Sequence, residues 1–305
     1  MPQCNTVKIK DSWVDSTDQA KLRVYKFECR EQGLEHRPND STRPNLLFSH
    51  ANGFHGRCFD PIIESLCGEF DCTSFDLRGH GDSVASADWS VDWQGYGDDA
   101  LCVARSLPPG LIAFGHSMGG AALVMAALRA PEIFRALILF EPIIFPDDMR
   151  SVAAKSRGAS PLAEGARRRR NSFASRAEAF ANYASKPPMN EFDQRSLRAF
   201  VDHGFKDAGS GVTLKCAPEH EARNFEMGAL HETWDNLRKL QVKTWVLSGV
   251  RQPMQPSGFA SRIAEQIRGA QFQEMRELNH FGPMQKPEAL AQFIRQVHEE
   301  TTPNT

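Results

Sequence analysis

The segment Gly115-His116-Ser117-Met118-Gly119-Gly120 constrains this chain more than any other. The apolar run Leu111-Ile112-Ala113-Phe114 precedes it and reads as a strand. The run Ala121-Ala122-Leu123-Val124-Met125-Ala126-Ala127-Leu128 follows and reads as a helix. A Gly-x-Ser-x-Gly sequence at a strand-to-helix junction holds its serine on a tight, strained turn, with the hydroxyl projecting into a cleft. This arrangement is a nucleophile elbow. Small residues at Gly115, Gly119 and Gly120 leave room for strand, turn and helix to pack that closely. The five-residue pattern alone is common by chance, and its place between strand and helix gives it meaning.

Apolar runs predict strands at 7–10, 22–28, 45–49, 72–75, 111–114, 136–140, 243–248 and 271–276. Helical spacing predicts helices at 58–67, 92–107, 118–129, 257–267 and 287–299. Strands alternating with helices imply βαβ units and a mostly parallel sheet. The segment 142–235 breaks that rhythm. It has helical pieces around 162–184 and 194–205, then the turn Gly209-Ser210-Gly211 and a strand-like Val212-Thr213-Leu214. It reads as a helical cap inserted between two parts of one core, 1–141 and 236–305. The 305 residues, 41% of them apolar, suffice for a large core plus such an insertion.

Composition excludes several classes. A net charge of −2 gives no basic field for nucleic acid. No apolar segment is long enough to span a bilayer; 121–145 comes nearest, but Arg129, Glu132, Arg135 and Glu141 interrupt it. Met1-Pro2-Gln3-Cys4-Asn5 lacks the start of a signal peptide, and Pro303-Asn304-Thr305 matches no targeting signal, so a cytoplasmic protein is expected. The seven cysteines (Cys4, Cys29, Cys58, Cys67, Cys72, Cys102, Cys216) are odd in number and lack metal spacing. They read as reduced thiols, with no metal site.

A serine hydroxyl is a poor nucleophile until a base takes its proton. At an elbow of this kind the partners follow in the order serine, acid, histidine. His280 fits the base. It lies in Leu278-Asn279-His280-Phe281-Gly282-Pro283, after the last predicted strand and before the last helix. His50, His80, His203, His220, His231 and His298 compete poorly by position. The acid is less direct. The segment after strand 243–248, Ser248 to Pro256, contains no Asp or Glu, and Glu265 lies on a helix. One strand earlier, Glu141 ends Ala136-Leu137-Ile138-Leu139-Phe140. A glutamate ending a buried strand needs a partner to offset its desolvation, and His280 would be that partner. The competing reading of Glu141 is a carboxylate held by local backbone or an arginine of the insertion; Asp147 and Asp148 are the fallback acids. Negative charge on a tetrahedral intermediate needs donors. The Met118 N–H should supply one, and the loop His50-Ala51-Asn52-Gly53-Phe54-His55-Gly56 the second, through Asn52 with Gly53 close behind.

Taken together, these segments resemble the α/β-hydrolase superfamily. The matching positions are His50-Ala51-Asn52-Gly53-Phe54, Phe75-Asp76-Leu77-Arg78-Gly79-His80-Gly81, Gly115 to Gly120 and His280-Phe281-Gly282-Pro283, in family order. The resemblance implies an eight-stranded, mostly parallel sheet with flanking helices and a helical cap. It also implies no cofactor and Ser-His-acid chemistry. The His-Ala-Asn-Gly-Phe form is similar to a microbial and fungal subgroup in which the acid can follow the strand before the cap, as it does in haloalkane dehalogenases. By resemblance Asp76 is a structural turn residue, and serine rather than aspartate at 117 argues against dehalogenase or epoxide hydrolase chemistry.

The reading that follows is a serine hydrolase of carboxylic esters, with Ser117 as nucleophile, His280 as base, Glu141 as acid, and Met118 and Asn52 at the oxyanion. C–C, lactone, thioester and amide bonds share that machinery, and a low-turnover binding protein on the same scaffold is the alternative. Phe173, Phe180, Tyr183, Phe200, Phe205 and Phe225 suggest an apolar pocket for a small-molecule substrate. Arg167-Arg168-Arg169-Arg170 reads as a solvated helix face rather than an anion site. Glu219 and Glu221 follow Pro218 and belong in a helix first turn.

Overall fold

The computed structural model describes residues 6–30, 43–155, 160–253 and 255–302. An antiparallel hairpin opens the chain, β1 (Thr6–Asp15) with β2 (Lys21–Arg30). Alternation follows: β3 (Asn45–Ser49), α1 (Asp60–Leu66), β4 (Asp71–Phe75), α2 (Trp93–Arg105), β5 (Leu111–His116), α3 (Met118–Arg129) and β6 (Phe134–Phe140). Next come α4 (Asp147–Lys155), α5 (Pro161–Arg167), β7 (Ser172–Phe173), α6 (Arg176–Ala184), α7 (Gln194–Gly204), β8 (Phe205–Ala208), β9 (Gly211–Leu214), α8 (Pro218–Met227) and α9 (Thr233–Asn236). The chain closes with β10 (Lys243–Ser248), α10 (Pro256–Gln266), β11 (Gln271–Glu274), α11 (Gly282–Gln285) and α12 (Pro287–Thr301).

The main sheet has eight strands in the order β1-β2-β4-β3-β5-β6-β10-β11. The pairings β1–β2 and β2–β4 are antiparallel and the rest are parallel. This is the sheet expected from the sequence. Its central strands are buried on both faces, so they read as continuous apolar runs. Successive side chains alternate between two cores. Leu46, Phe48, Ile112, Phe114, Ile138 and Phe140 face one; Leu47, Leu111, Ala113, Leu137 and Leu139 face the other. The flanking helices present matching stripes. In α12, Pro287 sits in the first turn and Leu290, Phe293, Ile294 and Val297 are buried, while Glu299 and Glu300 are exposed.

The region between β6 and β10 is not purely helical, which corrects the sequence reading. It contains a second sheet in the order β7-β9-β8. The helical piece expected over 162–184 is two helices, each started by a serine: Ser160 accepts from Ala163 N–H, and Ser175 from Glu178 N–H. Strand β7 lies between them. Gly209, at φ 58°, turns β8 into β9, and β9 buries Val212 and Leu214 on one face. The four arginines are each paired within this region. Arg167 binds Glu219 and Glu226, Arg168 binds Glu164, Arg169 binds Glu221, and Arg170 binds Glu178 while stacking on Phe173. Glu219 and Glu221 do occupy the first turn of α8.

Cys29 is disulfide-bonded, against the expectation of reduced thiols throughout. Cys58, Cys72, Cys102 and Cys216 are free. Among the described residues, no helix is long and apolar enough to cross a membrane.

Candidate active site

Ser117 sits between β5 and α3 at φ 55°, ψ −116°. A non-glycine residue there stores backbone strain of roughly 1–3 kcal/mol, which surrounding bonds must hold. Its N–H donates to the Phe140 carbonyl at 3.0 Å, and its own carbonyl accepts from Gly120, Ala121 and Ile143 N–H groups. Gly119 is required by close approach. A Cβ there would lie 2.2 Å from the Ser49 carbonyl oxygen, at the end of β3. The start of α3 is thereby pressed against the root of the His50–Gly56 loop.

Glu141 lies one residue past β6, at φ 45°, and its side chain is fully buried. His280 Nδ1 is 2.6 Å from Glu141 Oε2, and the Gly249 N–H donates to Oε1 at 2.8 Å. Both carboxylate oxygens are therefore satisfied, as a buried carboxylate demands. The bond to Oε2 fixes the proton on His280 Nδ1 and leaves Nε2 with its lone pair when the ring is neutral. His116, next to Ser117, donates Nε2–H to the His280 carbonyl at 2.8 Å, and the two rings lie 5.1 Å apart. Burial holds the His116 imidazole well below its ordinary pKa. Among the described residues, no hydrogen bond joins the Ser117 hydroxyl to His280. Such bonds are commonly long in unliganded sites and tighten on substrate binding. Asp147 and Asp148, the fallback acids, lie on the exposed face of α4 and bind Arg150 and Arg262.

The expected oxyanion donors have open N–H groups. Neither Met118 nor Asn52 donates its backbone N–H to any group among the described residues. The Asn52 side chain is engaged elsewhere: Nδ2 donates to the Glu221 carbonyl at 2.9 Å, and Oδ1 accepts from Asn224 Nδ2 at 3.0 Å and lies 3.2 Å from His80 Nε2. The backbone N–H of Asn52 has no such partner among the described residues and is the donor left for an oxyanion. His50 braces the same loop, with Nδ1 toward the Ala51 carbonyl at 2.8 Å and Nε2 accepting from Leu77 N–H at 2.9 Å. Its burial lowers the imidazole pKa to about 4. Asp76 accepts from Gly56 N–H, Asp82 N–H and the Tyr25 hydroxyl, a turn-fixing role.

Aromatic rings wall this region. Phe54 lies 5.4 Å from Phe200, 6.2 Å from Phe192, 6.0 Å from Phe281 and 6.5 Å from His116. Phe54 comes from the His50–Gly56 loop, and Phe192 and Phe200 from the segment between β6 and β10, so the two share this wall. Among the described residues, no cluster of His, Cys, Asp or Glu is arranged to hold a metal ion. Sequence reasoning missed His116, Gly249 and Asn224. His116 is a variable position of the elbow pattern, and the other two act through a backbone N–H and a helix amide that no local motif marks.

The model of the alpha/beta hydrolase family matches residues 46–293, and the chain belongs to that family. Its curated relatives include esterases, lipases and other hydrolases. A 2-(acetamidomethylene)succinate hydrolase of Mesorhizobium japonicum is 30% identical over 124 residues, 40% of this chain and 44% of that protein. The type I acyl-CoA thioesterase mpaH of Penicillium brevicompactum is 24% identical over 216 residues, 64% of this chain and 47% of that protein. The chain thus spans under half the length of these curated relatives. Among solved structures, the peroxisomal alpha-beta-hydrolase Lpx1 of Saccharomyces cerevisiae superposes with a TM-score of 0.74 at 17% identity, covering 98% of this chain and 91% of that one. A likeness at that identity speaks for the fold.

Proposed function

We propose that this chain is a serine hydrolase of carboxylic esters with an apolar part, working through an acyl-enzyme on Ser117. The observation that carries the reading is the 2.6 Å bond from His280 to a buried Glu141, on the segment that also contacts the residue beside Ser117. The buried carboxylate orients the imidazole and stabilises the imidazolium that forms. His280 Nε2 takes the Ser117 proton as the hydroxyl oxygen attacks the ester carbonyl. The Met118 and Asn52 N–H groups receive the oxyanion, with the N-terminus of α3 adding its dipole. His280 then returns the proton to the leaving alcohol, and water, activated by the same nitrogen, releases the acid. The phenylalanine wall supports binding of an apolar acyl or alcohol group.

The test is turnover of a p-nitrophenyl ester together with fluorophosphonate labelling. Ser117→Ala should abolish both. A full rate in that variant removes the assignment, and a folded wild type that neither labels nor turns over favours a binding protein instead. A thioester reading has one observation behind it, the 216-residue match to the thioesterase mpaH. Comparing an acyl-CoA with the matched oxygen ester separates the two.

A further inference from the structure

We infer that helix α8 of the insertion sets the position of the oxyanion loop through the Asn52 side chain, making Asn52 and Asn224 positioning residues for the reaction. This rests on the reading of Ser117 and the loop His50–Gly56 given above.

The geometry is a clamp with a rigid anchor. Asn224 is fully buried in α8. Its Oδ1 accepts from the Tyr96 hydroxyl at 2.6 Å, which orients the amide so that Nδ2 points to Asn52 Oδ1 at 3.0 Å. The Asn224 carbonyl accepts from Trp93 Nε1 at 3.2 Å. Tyr96 and Trp93 both belong to α2 of the core, so α8 is tied to the core at the point where it grips Asn52. The other half of the grip is Asn52 Nδ2 on the Glu221 carbonyl, at 2.9 Å. Beside it, the Glu221 carboxylate lies over Gly53, where a Cβ would come within 2.7 Å of Oε1, and Arg169 holds that carboxylate at 2.5 Å.

Simple satisfaction of a buried amide does not account for this. Asn52 is partly exposed, so its amide is not sealed in the core. Instead, both ends of the amide are held by a single helix. The residue so fixed is the one whose backbone N–H has no partner among the described residues and is assigned to the oxyanion above. Oxyanion donors act through placement within a few tenths of an ångström, so a loop held at its own donor residue is the effective place to apply that constraint. In this arrangement the insertion is part of the catalytic apparatus as well as a cover.

The test uses Asn52→Ala and Asn224→Asp in the full chain. The second keeps the Tyr96 acceptor and the shape, and removes the donor to Asn52. Each should lower kcat on a p-nitrophenyl ester by about 10- to 100-fold with KM within about threefold, and should weaken a trifluoromethyl ketone, which forms an oxyanion on Ser117, by a similar factor. The double variant should be no slower than Asn52→Ala alone. An unchanged kcat in both variants overturns the inference. So does a change confined to KM, or trifluoromethyl ketone affinity that tracks KM rather than kcat. Should Asn224→Asp fail to fold, Asn52→Ala, at a partly exposed position, decides the matter. Ser117→Ala run in parallel separates the two claims: a dead Ser117→Ala with normal asparagine variants sinks only the clamp, whereas an active Ser117→Ala sinks the hydrolase reading.

Discussion

Glu141 and Gly249 face each other across the ends of β6 and β10, with the Gly249 N–H donating to Glu141 Oε1 at 2.8 Å. The strand that lacks an acid of its own thus contributes a backbone donor to the acid of its neighbour. His280 takes the other oxygen of the same carboxylate. An imidazole acting as base would need a negative group at one place in space, and adjacent parallel strands both end near it.

If Glu141 steadies the imidazole, replacing its charge while keeping its shape should be costly. Glu141→Gln is expected to lower kcat on a p-nitrophenyl ester by roughly 10³–10⁴, because the neutral amide no longer stabilises the imidazolium or holds its tautomer. Steady-state kinetics on the folded variant check this. A rate within threefold of wild type contradicts the role.

Gly119→Ala should fail on steric grounds. Its Cβ would fall 2.2 Å from the Ser49 carbonyl, and backbone cannot swing aside as a flexible side chain can. A stability loss of about 1–3 kcal/mol in urea is expected, with turnover reduced by displacement of the neighbouring loop. Wild-type stability and rate together would show that α3 and β3 have slack the geometry denies.

Acid should weaken the fold. Burial lowers His50, His220 and His231 to about 4, and holds His55, His80 and His116 well below the ordinary value. The unfolded chain then binds more protons than the native one, so stability is present above the unfolded histidine value near 6.5 and is lost as pH falls toward 4. Asp60 and Asp76, raised to about 6 by burial, work in the opposite direction over part of that window and moderate the slope. Thermal unfolding at pH 7, 5.5 and 4.5 should show a falling midpoint. A flat or rising trend would mean that these imidazoles are solvated.

The arginine run should split in two. Arg168 is largely exposed and, among the described residues, paired with Glu164 at 3.5 Å, so Arg168→Gln should change stability by no more than about 0.5 kcal/mol. Arg169 and Glu221 are mostly buried, and Arg169→Gln strands the glutamate, at a cost of roughly 3 kcal/mol or more. Urea midpoints measure both, and equal effects would contradict the different burial of the two pairs.

Much of this arrangement was legible in the sequence, for identifiable reasons. Strands buried on both faces advertise themselves as apolar runs, and the helix 118–129 coincides with α3. The approach of Glu141 to His280 followed from an empty position after β10 and the cost of a lone buried carboxylate. Of the small sheet only β9 showed, as the strand-like Val212-Thr213-Leu214; β7 has two residues and β8 four, too short for a period to show. The helix expected around 194–205 is α7, ending one residue earlier because Phe205, an apolar residue at a helix end, serves equally well as the first residue of β8. Asn224 gave no signal, since an asparagine within an amphipathic helix reads as polar surface until the third dimension turns it inward.

The bond from Ile143 N–H to the Ser117 carbonyl carries a lesson for protein engineers. Pro142 packs on Gly120 in the same stretch. A chimera that swaps the insertion by splicing directly after Glu141 would therefore cut a tether of the serine turn. A join placed beyond Ile144 keeps that tether native and lets the foreign segment vary freely outside it.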